Sequence, residues 1–137
     1  MFKTKRKLFT LLICIFLIFS MSITAFANEP SPASTLIVYD SGVFHGGNHT
    51  SKTFTVSGGT YKISTGFDNL NSNVQGTCYL YIRSNSTNQF VQTFIYRSND
   101  SSSYNQRTFS LGSGSYTIIL NCAIESDYSF AYNIYSS

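Results

Sequence analysis

Two histidines four residues apart, in His45-Gly46-Gly47-Asn48-His49, are the residues of this chain whose types come nearest to catalysis or metal binding. Imidazole is a general base near neutral pH and a common metal ligand. On a helix the pair would share one face, but Gly46 and Gly47 place it on an extended loop, and no third ligand accompanies it. A His-Gly-Gly run can also line an oxyanion site, which needs a nucleophile in Gly-x-Ser-x-Gly order. Gly112-Ser113-Gly114-Ser115-Tyr116 lacks that order. Asp68-Asn69-Leu70-Asn71-Ser72-Asn73 offers oxygens at alternate positions but a single carboxylate and no closing Glu, so it reads as an Asx-rich turn rather than a calcium loop. We therefore expect no catalysis, no metal and no cofactor.

The aromatic residues say more. In Cys78-Tyr79-Leu80-Tyr81-Ile82-Arg83 the apolar residues alternate with Tyr79, Tyr81 and Arg83. A strand with Cys78, Leu80 and Ile82 in the core would put two rings and a guanidinium in a row on its other face. Flat rings stack on sugar faces or on apolar partner groups, and an arginine fixes a polar or anionic substituent. Tyr79, Tyr81 and Arg83 are accordingly the candidate ligand-binding residues, with His45, His49 and the Asn-rich loop expected at the rim.

These residues need strands to position them, and the chain is written in strands. Eight short segments rich in Tyr, Phe, Ile, Val and Thr fall near residues 36–40, 53–57, 60–65, 77–84, 90–97, 107–111, 116–123 and 128–135, separated by Gly, Ser and Asn. One pattern occurs twice, in Phe54-Thr55-Val56-Ser57-Gly58-Gly59-Thr60-Tyr61-Lys62-Ile63 and Phe109-Ser110-Leu111-Gly112-Ser113-Gly114-Ser115-Tyr116-Thr117-Ile118. Alternating apolar residues enter and leave a Gly/Ser cluster, which predicts a hairpin at each copy. The expected class is all-β, a two-sheet antiparallel β-sandwich of jelly-roll type with about eight strands.

Residues 1–27 fit a secretory signal, with Lys3, Lys5, Arg6 and Lys7, an apolar run from Leu8 to Phe19, and Ala25-Phe26-Ala27 as a small-x-small cleavage site. Residues 28–34, with Pro30 and Pro32, read as a flexible leader, and 35–137 as one domain. Four of the nine Lys and Arg lie in the signal and all six Asp and Glu lie beyond it, so the remainder carries five minus six, a net charge of −1. The basic character of the whole chain is thus a targeting feature, and it argues against nucleic-acid or anionic-membrane binding. No membrane span is expected once the signal is removed. Cys78 and Cys122 remain as an even pair, and in an exported protein such a pair reads as a disulfide. Closing that loop stabilises the fold by about 4 kcal/mol on the chain-entropy estimate.

The paired Gly/Ser segments, together with Gly114-Ser115-Tyr116-Thr117-Ile118 and Tyr128-Ser129-Phe130-Ala131-Tyr132, resemble the bacterial pre-peptidase C-terminal type of jelly-roll β-sandwich over about residues 52–135. The resemblance implies a jelly roll of the kind appended to secreted enzymes. The chain departs from that family at Gly76-Thr77-Cys78-Tyr79-Leu80-Tyr81-Ile82, where an Asp-rich approach to a central strand is often found, and no catalytic domain accompanies it. The sequence thus points to a secreted, non-catalytic bacterial module acting at the cell envelope or on an extracellular polymer, with a cell-wall polysaccharide or a secreted protein as partner. A self-assembling matrix protein, motivated by low charge and many Tyr, Ser, Asn and Gly, and a bacteriocin-like product are the alternatives.

Overall fold

The computed structural model describes residues 34–71, 73–100 and 106–137. The expected signal at 1–27 and leader residues 28–33 lie outside the described residues. Residues 36–69, 77–84, 90–97 and 107–136 are extended, and no helix occurs among the described residues. They make four antiparallel strands: β1 (Leu36–Asn69), β2 (Thr77–Ser84), β3 (Phe90–Arg97) and β4 (Arg107–Ser136). Their order in the sheet is β1-β4-β2-β3.

The all-β, antiparallel class stands, and β2 and β3 occupy the segments read from alternation. The other expected strands are not separate. Three merge into β1 and three into β4, so hydrogen bonds join two long and two short strands in one sheet where eight short strands in two sheets were expected. Glycines read as turns act as bends within continuous strands. The ladder between β1 and β4 shifts register between His45 and Gly47 and again between Thr50 and Thr53. Such irregularities bend a strand without ending it. Gly46 sits at the first of them, where a Cβ would collide with the carbonyl oxygen of Ile124.

The paired hairpins are likewise corrected. Residues 53–57 and 59–63 do not turn back on each other; both run in one direction beside residues 107–117. Phe54 lies opposite Tyr116, and Tyr61 lies opposite Phe109. The two copies of the pattern are therefore each other's partners. Their offset is 109 minus 54, or 55 residues, and moving the pair Phe54 and Tyr116 by that offset gives Phe109 and Tyr61. A local two-fold axis thus passes between Ser57 and Gly58 on β1 and between Gly112 and Ser113 on β4. The rings follow it, with centroids 5.9 Å apart at 35° for Phe54 and Tyr116, and 5.8 Å apart at 38° for Tyr61 and Phe109. Alternation on both sides of a Gly/Ser cluster is common to a hairpin and to a bent, continuous strand, so the local pattern could not separate them.

Beyond this axis β1 embraces the end of β4. Val38 to His45 pair with Ile134 to Asp127 on one side, while Ser64 to Asn69 pair with Asn133 to Tyr128 on the other. Inward-facing residues of this ladder, Ile63, Phe67, Tyr128, Tyr132 and Ile134, are buried. In the other part of the sheet Cys78, Leu80 and Ile82 lie opposite Cys122, Leu120 and Ile118, all at or near zero exposure. Full burial stabilises by about 1.5–3 kcal/mol for each Leu or Ile. Cys78 and Cys122 are directly opposed, with Cα atoms 4.2 Å apart, and form the disulfide.

Candidate functional site

Because Cys78, Leu80 and Ile82 point into the core, the pleat of β2 turns Tyr79, Tyr81 and Arg83 to its outer face. The register then builds three rows across all four strands. In the first, Tyr79 lies between Ile95 of β3 and Asn121 of β4, and Asn121 lies beside Asn48 of β1. In the second, Tyr81 lies between Thr93 and Ile119, with Thr50 beyond. In the third, Arg83 lies between Phe90 and Thr117, with Thr53 beyond.

The rings form a line. Tyr79 and Tyr81 are nearly parallel, at 6° with centroids 5.7 Å apart, and Tyr81 meets Phe90 at 4.8 Å. Phe90 and Ile95 are 58% and 54% exposed, large fractions for side chains whose burial would be favourable. Ile119, on the central strand, is only 8% exposed, so the side chains around it stand above a closed floor. Polar side chains on the β4 and β1 side are held in place by one another. Asn121 Nδ2 donates to Asn48 Oδ1 at 2.9 Å, and Thr117 Oγ1 donates to Asn85 Oδ1 at 2.7 Å while lying 3.0 Å from Thr53 Oγ1. Asn85 in turn donates to Ser115 Oγ at 2.9 Å.

Arg83 is the one charged residue of these rows. Its Nε is covered and meets no hydrogen-bond acceptor, and it forms no ion pair among the described residues. The face supplies ring surfaces, fixed amides and hydroxyls, and a guanidinium. Among the described residues of these rows there is no carboxylate and no imidazole.

The structure does not bring the histidines to this face. His49 lies opposite Leu120, on the reverse side of the strand from Asn48 and Thr50, and stacks on Phe44 at 5.2 Å. His45 lies beyond the register shift, opposite Asp127, and its Nδ1 is 2.8 Å from Asp127 Oδ1. His45 is exposed, and Asn71 Nδ2 donates to the second oxygen of Asp127 at 3.2 Å. The hydrogen bond to His45, followed by that to Asn71, holds the Asp127 carboxyl below the usual carboxylate range. Among the described residues no three of His, Cys, Asp and Glu gather as a metal site. The Asn-rich loop turns inward on the chain, with Asn69 Oδ1 accepting from Asn71 N and Ser126 Oγ.

Phe90, Ile95, Asn48 and Asn121 escaped the reading of the sequence. Phe90 lies where the register shifts between Ile82 and Arg83, and counting alternate residues back from Phe94 assigns it to the core. Asn48 and Asn121 are 73 residues apart and meet only through the register of β1 on β4.

No family model matches this chain, and no curated protein matches it. Two solved structures are similar at low identity. One is a carbohydrate binding module from Cellvibrio mixtus lichenase 5A in complex with cellotriose, with 11% identity and a TM-score of 0.45, over 77% of this chain and 91% of that one. The other is described as Bacillus endospore appendages that form a novel family of disulfide-linked pili, with 12% identity and a TM-score of 0.41, over 82% of this chain and 96% of that one. At these values neither bears on function.

Proposed function

We propose that this chain is a secreted, non-catalytic binding module of bacterial origin, and that it holds an extracellular polymer on the outer face of β2, β3 and β4. The line of Tyr79, Tyr81 and Phe90 beside Arg83 is the observation that carries this reading. Rings repeated along a strand suit a ligand that itself repeats, because each ring covers one apolar patch while the neighbouring amides and hydroxyls meet polar groups between patches. Most of the needed order is already in place. The disulfide ties β2 to β4 directly beneath the site, and the Asn and Thr side chains are fixed before a ligand arrives, so little entropy is lost on binding. The ring contacts between Phe67 and Tyr96 and between Phe94 and Phe109 join the two ladders across the core. They support a sheet rolled into a jelly-roll-like sandwich, a shape that turns the site outward. Export rests on the signal read at residues 1–27, and a buried disulfide suits an oxidising compartment.

Replacement of Tyr79 and Tyr81 together by Ala tests the reading. The protein is mixed with insoluble cell walls and polysaccharides, sedimented, and assayed in the pellet. Saturable pelleting of the wild type and its loss in a variant of unchanged circular dichroism are expected. Equal pelleting of the two proteins would remove the site.

One feature favours self-assembly as a second reading. β3 ends the sheet order and exposes Phe90, Val91 and Ile95, a pattern that unprotected sheet edges show when they join other copies. The same sedimentation in buffer alone separates the two readings, since assembly needs no polysaccharide.

A further inference from the structure

Charge is divided unevenly within the sheet. β2, β3 and β4 as far as Ile124 contain Arg83, Arg97 and Arg107 and no Asp or Glu. Asp40, Asp68 and Asp127 lie in the other ladder, opposite Tyr132, Ser129 and His45, and Glu125 adjoins it; Asp100 follows β3. A near-neutral domain therefore presents a cationic half, and the ring row lies on it. Two of these arginines are committed or placed away from the rows, since Arg107 covers the ring of Tyr96 at 4.6 Å and Arg97 lies opposite Thr77 at the end of β3. Arg83 is different. It stands in the third row next to Phe90 and Thr117, has no anionic partner among the described residues, and leaves a covered Nε without an acceptor.

Resting on the binding reading above, we propose that the polymer is an acidic polysaccharide, with a sugar carboxylate at Arg83 and neutral sugar faces on Tyr79, Tyr81 and Phe90. A guanidinium matches a carboxylate in two parallel hydrogen bonds, which gives register along the chain as well as affinity. The absence of acidic residues from β2 and β3 removes the repulsion that a polyanion would otherwise meet, and the cationic half raises its local concentration. An acidic protein segment would also find the guanidinium. The row of small neutral hydrogen-bonding groups, Asn48, Asn121, Thr50, Thr93 and Thr53, matches the hydroxyls of a glycan better than the side chains of a peptide.

The test uses the secreted protein with its disulfide formed and measures affinity for polygalacturonate, alginate and hyaluronan, each beside its carboxyl-reduced, neutral form. A neutral insoluble glucan and an acidic polypeptide, polyglutamate, serve as references. At least one acidic polysaccharide is expected to bind, with a loss of about tenfold on carboxyl reduction and a similar loss for R83Q, as befits one charge-assisted contact. R83Q is also expected to bind the acidic and the reduced form almost equally, a signature that mere damage to the fold would not give. Equal binding of acidic and reduced forms by the wild type would overturn the acidic ligand and leave the binding face standing. So would binding of the neutral glucan alone. Preference for polyglutamate over every glycan would overturn the polysaccharide, and no binding to any of them would overturn both this inference and the reading it rests on.

Discussion

Tyr132 shows how a single residue ties the first strand to the last. Its hydroxyl lies 2.7 Å from Ser51 Oγ, which also bonds to Asp40, and Lys52 Nζ lies 3.7 Å from the same carboxylate. Burial, opposed by the bond to Ser51, pushes the phenol up to about 12. An unfolded tyrosine ionises near pH 10, so below that value both states are protonated and the phenol leaves stability unchanged. Above it the unfolded chain ionises first, and stability is lost as pH rises through the folded value of about 12. Urea midpoints measured from about pH 9 to 12 are expected to fall for the wild type and to fall less for Y132F, which cannot ionise. Parallel curves for the two proteins would show that Tyr132 is not the group responsible. Legibility at this scale was uneven. Tyr79, Tyr81 and Arg83 alternate with core residues in sequence and lie in one row in space, and Cys78 and Cys122 form the disulfide. His45 and His49 look like a pair in sequence because they are close along the chain. The register shift between His45 and Gly47 gives them separate partners on β4, Asp127 and Leu120.

At the scale of elements, the strands were legible and their ends were not. β2 alternates cleanly throughout and β3 does so from Gln92 onward, and both begin and end where the sequence places them. β1 and β4 contain glycines inside the strands, and a local reading treats such glycines as turns. What decides the matter is non-local. Residues 53–63 find a partner with their own pattern, 55 residues on, and pairing along the whole length buries the apolar face of each, with Phe54, Val56, Tyr61 and Ile63 on one strand and Phe109, Leu111 and Tyr116 on the other. Gly58 makes the passage possible, with φ of +91° and a position where a Cβ would stand 3.0 Å from the amide nitrogen of Ser113. G58A is expected to lower stability by about 1–3 kcal/mol, read from urea unfolding, because it combines a left-handed backbone with a contact to main chain. G112A, whose Cβ would come no nearer than 3.8 Å to Tyr116 Oη, is the control and is expected to be nearly neutral. Equal losses for the two would mean that the bend at Gly58 is not what the β1 strand depends on.

For the whole molecule, the consequence of this topology is a division of labour between the two ladders. One gathers Asp40, Asp68 and Asp127 around the end of β4, while the other, cross-linked by Cys78 and Cys122, is free of acidic residues and carries the ring row outward. The net charge of residues 28–137, −1, conceals this asymmetry because a sum has no geometry. The central claim is that the outer face of β2, β3 and β4 is where ligand binds. Backbone amide resonances, followed while a soluble fragment of the pelleting polysaccharide is added, test it most directly. Shifts confined to Asn48, Thr50, Tyr79, Tyr81, Arg83, Phe90, Thr93 and Asn121 are predicted, whereas saturable shifts centred on His45, Asn71 and Asp127 would contradict the account.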